Sequence, residues 1–326
     1  MVKIDYNLIY LLSENARKSL KELSRDIKKS PQRLKYAISV LEKEGVIRNP
    51  YCVFDYSYFG LILFRVYFKG GYISEQDKAR IINDLDNNPY VISTYELTGE
   101  FDLTVEFAAP NPSKFNKELK RIATLTPTLN NYKIVLNLVT HIYPRNYLLK
   151  NVGLQSLGIE KIVGGDREKE TFDSNEMTVM KNLQLNSKIR LTELSNKSEL
   201  NVKTVKSILK NLTKRRIIKG FKYIVDTNKL GISKFRLFLK LHNLTVEREA
   251  QLMQYMHNTK EIVQVNKTVG DWDMELDIEA IAKSRIRYII MQIREEFKDL
   301  IESFNLIEFY NYYKRSYLPL YLFENE

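Results

Sequence analysis

The sequence predicts an α+β protein made of two copies of one unit. Each unit is a basic three-helix module followed by a small sheet with two helices on one face. Three observations carry this expectation: an internal register at an offset of 171 residues, two short blocks of positive charge, and a βαββαβ order after each block.

The register comes first because it sets the boundaries. Shifting the 326-residue chain by 171 positions lays "ELS" at 22–24 on "ELS" at 193–195. It also lays Lys35 on Lys206, Leu41 on Leu212, Ile47 on Ile218, Asp55 on Asp226 and Gly60 on Gly231. Phe64-Arg65 then falls on Phe235-Arg236, Lys69 on Lys240, Gly99 on Gly270 and Asp102 on Asp273. Ungapped agreement over such a length is the signature of an internal repeat. At the N-terminal edge the offset becomes 168, Asp5 on Asp173, and near the end 170, "PRNYL" (144–148) over "KRSYL" (314–318). The expected division is 1–54 and 173–225 for the helical modules, 55–148 and 226–326 for the sheets, and 149–172 for a linker with a short ordered element at its start.

Charge follows the same division. Residues 1–50 hold 11 Lys and Arg against 6 Asp and Glu, and residues 173–222 hold 12 against 4. The net charge of the whole chain is +11, so everything else is slightly acidic. Positive charge confined to two matching blocks suits a polyanion better than general solubility. No apolar run reaches the roughly 18–20 residues of a membrane span, and "MVKIDYNLIY" is too polar for a signal-peptide core. The single cysteine, Cys52, excludes an internal disulfide and a cysteine zinc cluster. A reducing cytoplasm and no membrane partner are therefore expected.

Within the first block, Ile4, Leu8, Ile9 and Leu12 recur at helical spacing. A second helix over 19–27 turns Leu20, Leu23 and Ile27 inward. Ser30 is a good N-cap for a third, and Pro31 suits its first position because the missing N–H has no partner there in any case. Leu34, Ile38 and Leu41 form its buried stripe, and Gly45 stops it. The second block repeats the pattern with Asn201 as cap and Val205, Leu209 and Leu212 inward. Arg216 stands where Gly45 would, so this helix is expected to end less sharply. Helix, helix, tight turn, helix is a helix-turn-helix, whose third helix enters the DNA major groove by its N-terminal part. The outward residues there are Gln32, Arg33, Lys35 and Tyr36, and Lys203, Thr204, Lys206 and Ser207 in the second copy. Arg33 and Gln32 suit guanine and adenine edges respectively, and the copies differ enough to prefer unlike half-sites. The segments 46–55 and 217–226 read as small two-stranded wings, with Arg48, Lys219 and Lys222 on phosphate and Pro50 at an edge or turn.

After Gly60, "LILFRVYF" reads as a strand, 74–88 as a helix behind a Ser cap, and "YVISTYELT" and "FDLTVEF" as a hairpin. Residues 113–125 form a second helix and "YKIVLNLVTHIY" the last strand. This is the ferredoxin-like order, repeated over 233–313. Strands apolar on both sides need both faces buried. Packing sheet on sheet achieves that, either inside the chain as a pseudo-dimer or between chains as a homodimer. Gly99 and Gly270 supply the hairpin turns, and Asp102 and Asp273 start the following strands.

This layout resembles the Lrp/AsnC (feast/famine) family of prokaryotic transcription regulators. The residues that carry the resemblance are Asp5, "LSENARKSLKELS" (12–24), "LEKEGVI" (41–47) and "TGEFD" (98–102). It implies a DNA-binding, non-catalytic regulator without a cofactor, with winged helix-turn-helix heads and ferredoxin-like domains that mediate assembly. It also implies a small-molecule effector, such as an amino acid, near Gly99, Asp102, Gly270 and Asp273. The second head lacks the "NAR" and "EKEGVI" signatures. Two other expectations compete. A fused siroheme decarboxylase-like enzyme would share the two-module architecture, but His141, His242 and His257 are scattered and occupy unmatched positions. A protein–protein adaptor would keep the heads without salt-dependent DNA affinity.

Overall fold

The computed structural model describes residues 5–70, 74–149, 153–154 and 158–324. Its first helical module contains α1 (Tyr6–Glu14), α2 (Leu20–Ile27) and α3 (Pro31–Lys43). Asp5 caps α1 by accepting the N–H groups of Asn7 and Leu8, and Ser19 with Glu22 forms a capping box on α2. Ser30 caps α3 with Pro31 in its first turn. Leu8, Leu12, Leu23, Leu34 and Leu41 close the small core. Ile4 lies outside the described residues.

The second module repeats this as α6 (Ser174–Leu185), α7 (Leu191–Lys197) and α8 (Val202–Lys214). Asp173 and Asn201 serve as caps of α6 and α8. The softer end expected for α8 does not occur. Arg216 itself adopts the left-handed conformation at φ +62°, as Gly45 does at +68°. The closing bond from Ile217 N–H to the Leu212 carbonyl, 2.9 Å, equals that from Val46 to Leu41.

The wings also differ from expectation. Each is one strand, β1 (Ile47–Phe54) and β7 (Ile218–Val225), and the two pair antiparallel with each other to join the heads. Pro50 sits in the irregularity between Arg48 and Tyr51, where Asn49 takes φ +42°. Without an N–H it leaves no ladder bond unmade.

The sheet modules contain β2 (Ile62–Phe68), α4 (Glu75–Asp86), β3 (Val91–Thr98), β4 (Leu103–Ala109), α5 (Pro112–Leu125) and β5 (Tyr132–Ile142). Their counterparts are β8 (Ser233–Leu241), α9 (Val246–Asn258), β9 (Ile262–Val269), β10 (Met274–Ala280), α10 (Lys283–Glu296) and β11 (Ile301–Arg315). Each four-stranded sheet has the ferredoxin-like strand order. They do not stack face to face. Instead β3 pairs with β11 and β5 with β9, which closes one eight-stranded antiparallel barrel. Outward residues such as Phe64, Val66 and Phe68 pack under α4 and α5, and Leu237 and Leu239 under α9 and α10. The inner face is enclosed by closure itself, so both faces are buried by a route that also removes sheet edges.

Two details correct the sequence reading. The linker contributes a strand near its end, β6 (Lys161–Gly164), hydrogen-bonded to β5 beyond the reach of β2. Residues 150–152 and 155–157, which hold most of the start of that linker, lie outside the described residues. Irregularities in β11 at Phe309/Asn311 and Tyr312/Lys314 lengthen the second copy. The bond from Tyr143 N–H to the Val263 carbonyl therefore matches that from Ser316 to Ile92, an offset of 173 and not 170. Among the described residues no helix is long and apolar enough to cross a membrane.

Candidate nucleic-acid interface and the charged barrel interior

The third helices present what their caps and buried stripes leave outward. Gln32, Arg33, Lys35 and Tyr36 are all exposed, Tyr36 to 68%. On α8, Lys203, Lys206 and Ser207 are exposed and Thr204 is half-buried. Ser30 is exposed, with its hydroxyl directed to the Arg33 N–H at 3.4 Å. A cationic, amide-bearing and aromatic surface at a helix N-terminus is chemically suited to base edges and phosphates.

The wing cations point elsewhere. Lys222 is buried and holds the carboxylate of Glu14 at 3.2 Å. Lys219 lies 3.2 Å from the fully buried Asp55 carboxylate, and Arg48 donates to Asn311 at 2.6 Å. These three stabilise the seam between ribbon, heads and barrel, so their reading as phosphate contacts is corrected. Burial drives Glu14 up, but Lys222, Lys161 and Arg145 outweigh it and hold its pKa below the ordinary value. The same desolvation, aided by Lys222, pushes Lys161 down to about 8 against the pull of Glu14.

Both glycine–aspartate turns are built alike. Gly99 and Gly270 take φ +130° and +151°, and a Cβ on Gly270 would stand 3.1 Å from the Ile134 carbonyl. Asp273 accepts the N–H of Leu241 at 2.8 Å and the Lys240 ammonium at 3.2 Å. Asp102 accepts the N–H of Gly70, the matching position after β2. In each half the aspartate fastens the end of the adjacent strand.

The charges that sequence reasoning missed lie inside the barrel. Arg65 on β2 donates to Glu106 at 2.8 Å, and Arg236 on β8 donates to Asp277 at 2.7 Å, a matched pair at the 171-residue offset. Glu275 stands between them. It accepts from Arg65, from Tyr67 at 2.8 Å, from Trp272 at 2.9 Å and from Asn266 at 3.1 Å. Farther along, Glu279 receives Arg145 at 2.8 Å and Lys234 at 3.3 Å. Arg65, Arg236, Glu275, Asp277 and Glu279 are all 0–1% exposed. Burial opposes ionisation of Asp277 and Glu279, yet Arg236 and Lys234 for the former, and Arg145 and Lys234 for the latter, hold both pKa values down. Buried charge of this kind persists only when paired and hydrogen-bonded. The signal was available: an arginine recurring within an apolar strand, and acids alternating at 275, 277 and 279, which share one face of β10.

The histidines are less scattered than expected. His141 lies 2.7 Å and His257 3.8 Å from Glu160. Among the described residues, however, no group of three or more His, Cys, Asp or Glu is arranged to hold a metal ion.

Comparison with known proteins follows the same lines. Residues 1–48 match the winged helix-turn-helix DNA-binding family. The chain is similar to an uncharacterized HTH-type transcriptional regulator of Pyrococcus furiosus, 30% identical over 121 residues, covering 37% of this chain and 78% of the relative. It is also similar to an HTH-type transcriptional regulator of Pyrococcus horikoshii, 26% identical over 144 residues, covering 43% and 90%. In overall fold it is similar to the siroheme decarboxylase NirDL, with TM-score 0.58 and 13% identity over 97% of this chain and 94% of that one.

Proposed function

We propose that this chain, which belongs with the HTH-type transcriptional regulators, is a regulator of Lrp/AsnC type that binds double-stranded DNA through two heads held in one rigid frame. One observation carries the reading. Two capped third helices expose Gln32, Arg33, Lys35 and Tyr36 on one head and Lys203, Lys206 and Ser207, with Thr204 half-buried beside them, on the other. The β1–β7 ribbon hydrogen-bonds the heads together, so their separation is fixed. Specificity then rests on unlike third helices reading unlike half-sites, and affinity on lysines and arginines around them. Holding both heads on one frame makes the second contact intramolecular, which raises avidity without any new interaction.

In this reading the barrel is the frame and needs no partner chain to close. Asp102 and Asp273 act as strand fasteners. The 13% identity to NirDL is a likeness of fold, and the function is argued from the heads.

The test is equilibrium binding of the chain to duplex DNA across a range of salt concentrations. Affinity should fall linearly on a log–log plot, with several released counterions. Arg33→Ala should relax base preference at one half-site and leave the other unchanged. Salt-independent binding, or equal losses at both half-sites, would count against the assignment.

A further inference from the structure

The heads meet in a groove of about 540 Å³ lined by Arg17, Lys18 and Lys35 from the first and by Lys188 and Arg190 from the second. Resting on the DNA reading above, we propose that this groove seats the sugar-phosphate backbone of the duplex between the two half-sites. Apart from Lys35, which belongs to both surfaces, it is distinct from the base-reading positions of the third helices.

Its construction supports this. The α1–α2 loop of the first head abuts the α6–α7 loop of the second, with Arg17 donating to the Ser187 carbonyl at 2.7 Å. Tyr223 donates to Glu42 at 2.7 Å, and Lys188 lies 3.1 Å from the same carboxylate. Among the described residues, Glu42 is the only acid lining the groove. Lys18 is matched by Asp26 at 2.5 Å and Lys188 by Glu42, while Lys35 and Arg190 stand exposed on opposite walls. The floor is apolar, formed by Leu12, Ala16, Leu20, Ile38 and Ile189. Excess positive charge over a low-dielectric floor concentrates potential in the groove. A backbone of regularly spaced monoanionic phosphates with apolar sugar edges complements it. Because the walls belong to different heads, an occupied groove would also fix the register between the half-sites.

Lys188→Ala with Arg190→Ala tests this while keeping every base-reading residue in place, at the cost of the ion pair from Lys188 to Glu42 at the end of α3. Arg190 occupies the N-cap position of α7 without a capping hydrogen bond, so its loss leaves the helix start unchanged. With a duplex that the wild-type chain binds, the salt slope should fall by about 2, at 0.9 per lost phosphate contact. The selected base motif should stay the same. Ethylation of phosphates between the half-sites should block the wild type and matter less to the variant. Lys298→Ala, an exposed lysine between α10 and β11 and outside both helical modules, should change nothing. A wild type that binds DNA alongside a double variant of unchanged slope overturns the groove and spares the heads. A wild type that binds no duplex overturns both.

Discussion

Replacing Arg65 with methionine removes the cation that crosses the barrel from β2 to Glu275 on β10. The side chain is 1% exposed and serves two carboxylates, Glu106 and Glu275. After its loss Glu275 keeps Tyr67, Trp272 and Asn266, but its nearest cation is Arg236 at 3.7 Å. Breaking a buried ion pair by deleting one partner costs about 3–5 kcal/mol, because the other charge stays buried. With a urea slope on the order of 3 kcal/mol/M, the unfolding midpoint should fall by roughly 1–1.7 M. Trp272 is the only tryptophan and donates directly to Glu275, so its fluorescence reports the event locally. Adding Glu275→Gln should restore part of the loss, since it removes the stranded charge and keeps a hydrogen-bonding amide. A midpoint for Arg65→Met indistinguishable from wild type would refute the view that paired charges hold the barrel halves together.

Other expected outcomes follow from the same geometry. Gly270→Ala should destabilise by about 1–3 kcal/mol, because φ +151° is strained for alanine and the new Cβ meets the Ile134 carbonyl; thermal melting measures this. Asp273→Ala should cost on the order of 1 kcal/mol by leaving the Leu241 N–H without its partner, with DNA affinity unchanged. Lys161, at a pKa of about 8 when folded, loses its proton before its unfolded form does, near 10.4. The unfolded state binds more protons between those values, so stability should rise with pH from about 8 to 10. Lys161→Met should flatten that rise in urea titrations at several pH values.

Legibility in the sequence divides along physical lines. The starts of the third helices were readable because Ser30 and Asn201 are local signals acting within three residues; Asp5 and Asp173 cap α1 and α6 by the same device, which the sequence reading did not use. The ferredoxin-like orders were readable because strand and helix periods differ. What escaped was non-local. The two wings became one ribbon because β1 found its partner in β7, about 170 residues away, and no local pattern encodes that pairing. Lys222 resembled a phosphate contact because its charge is plain in sequence, whereas its burial against Glu14 is tertiary. The α8 terminus shows tertiary context overriding local preference, since Arg216 accepts a conformation that glycine usually takes. Barrel closure depended on edges joining, which alternation alone cannot distinguish from faces stacking.

The most direct test of two heads in one frame is selection from a random-sequence duplex pool, with bound fragments sequenced. The account predicts enrichment of two unlike half-motifs at one fixed spacing, lost as a pair when salt rises. A single motif, or two motifs at freely varying spacing, would contradict a rigid pair of heads, and no enrichment would contradict DNA recognition itself.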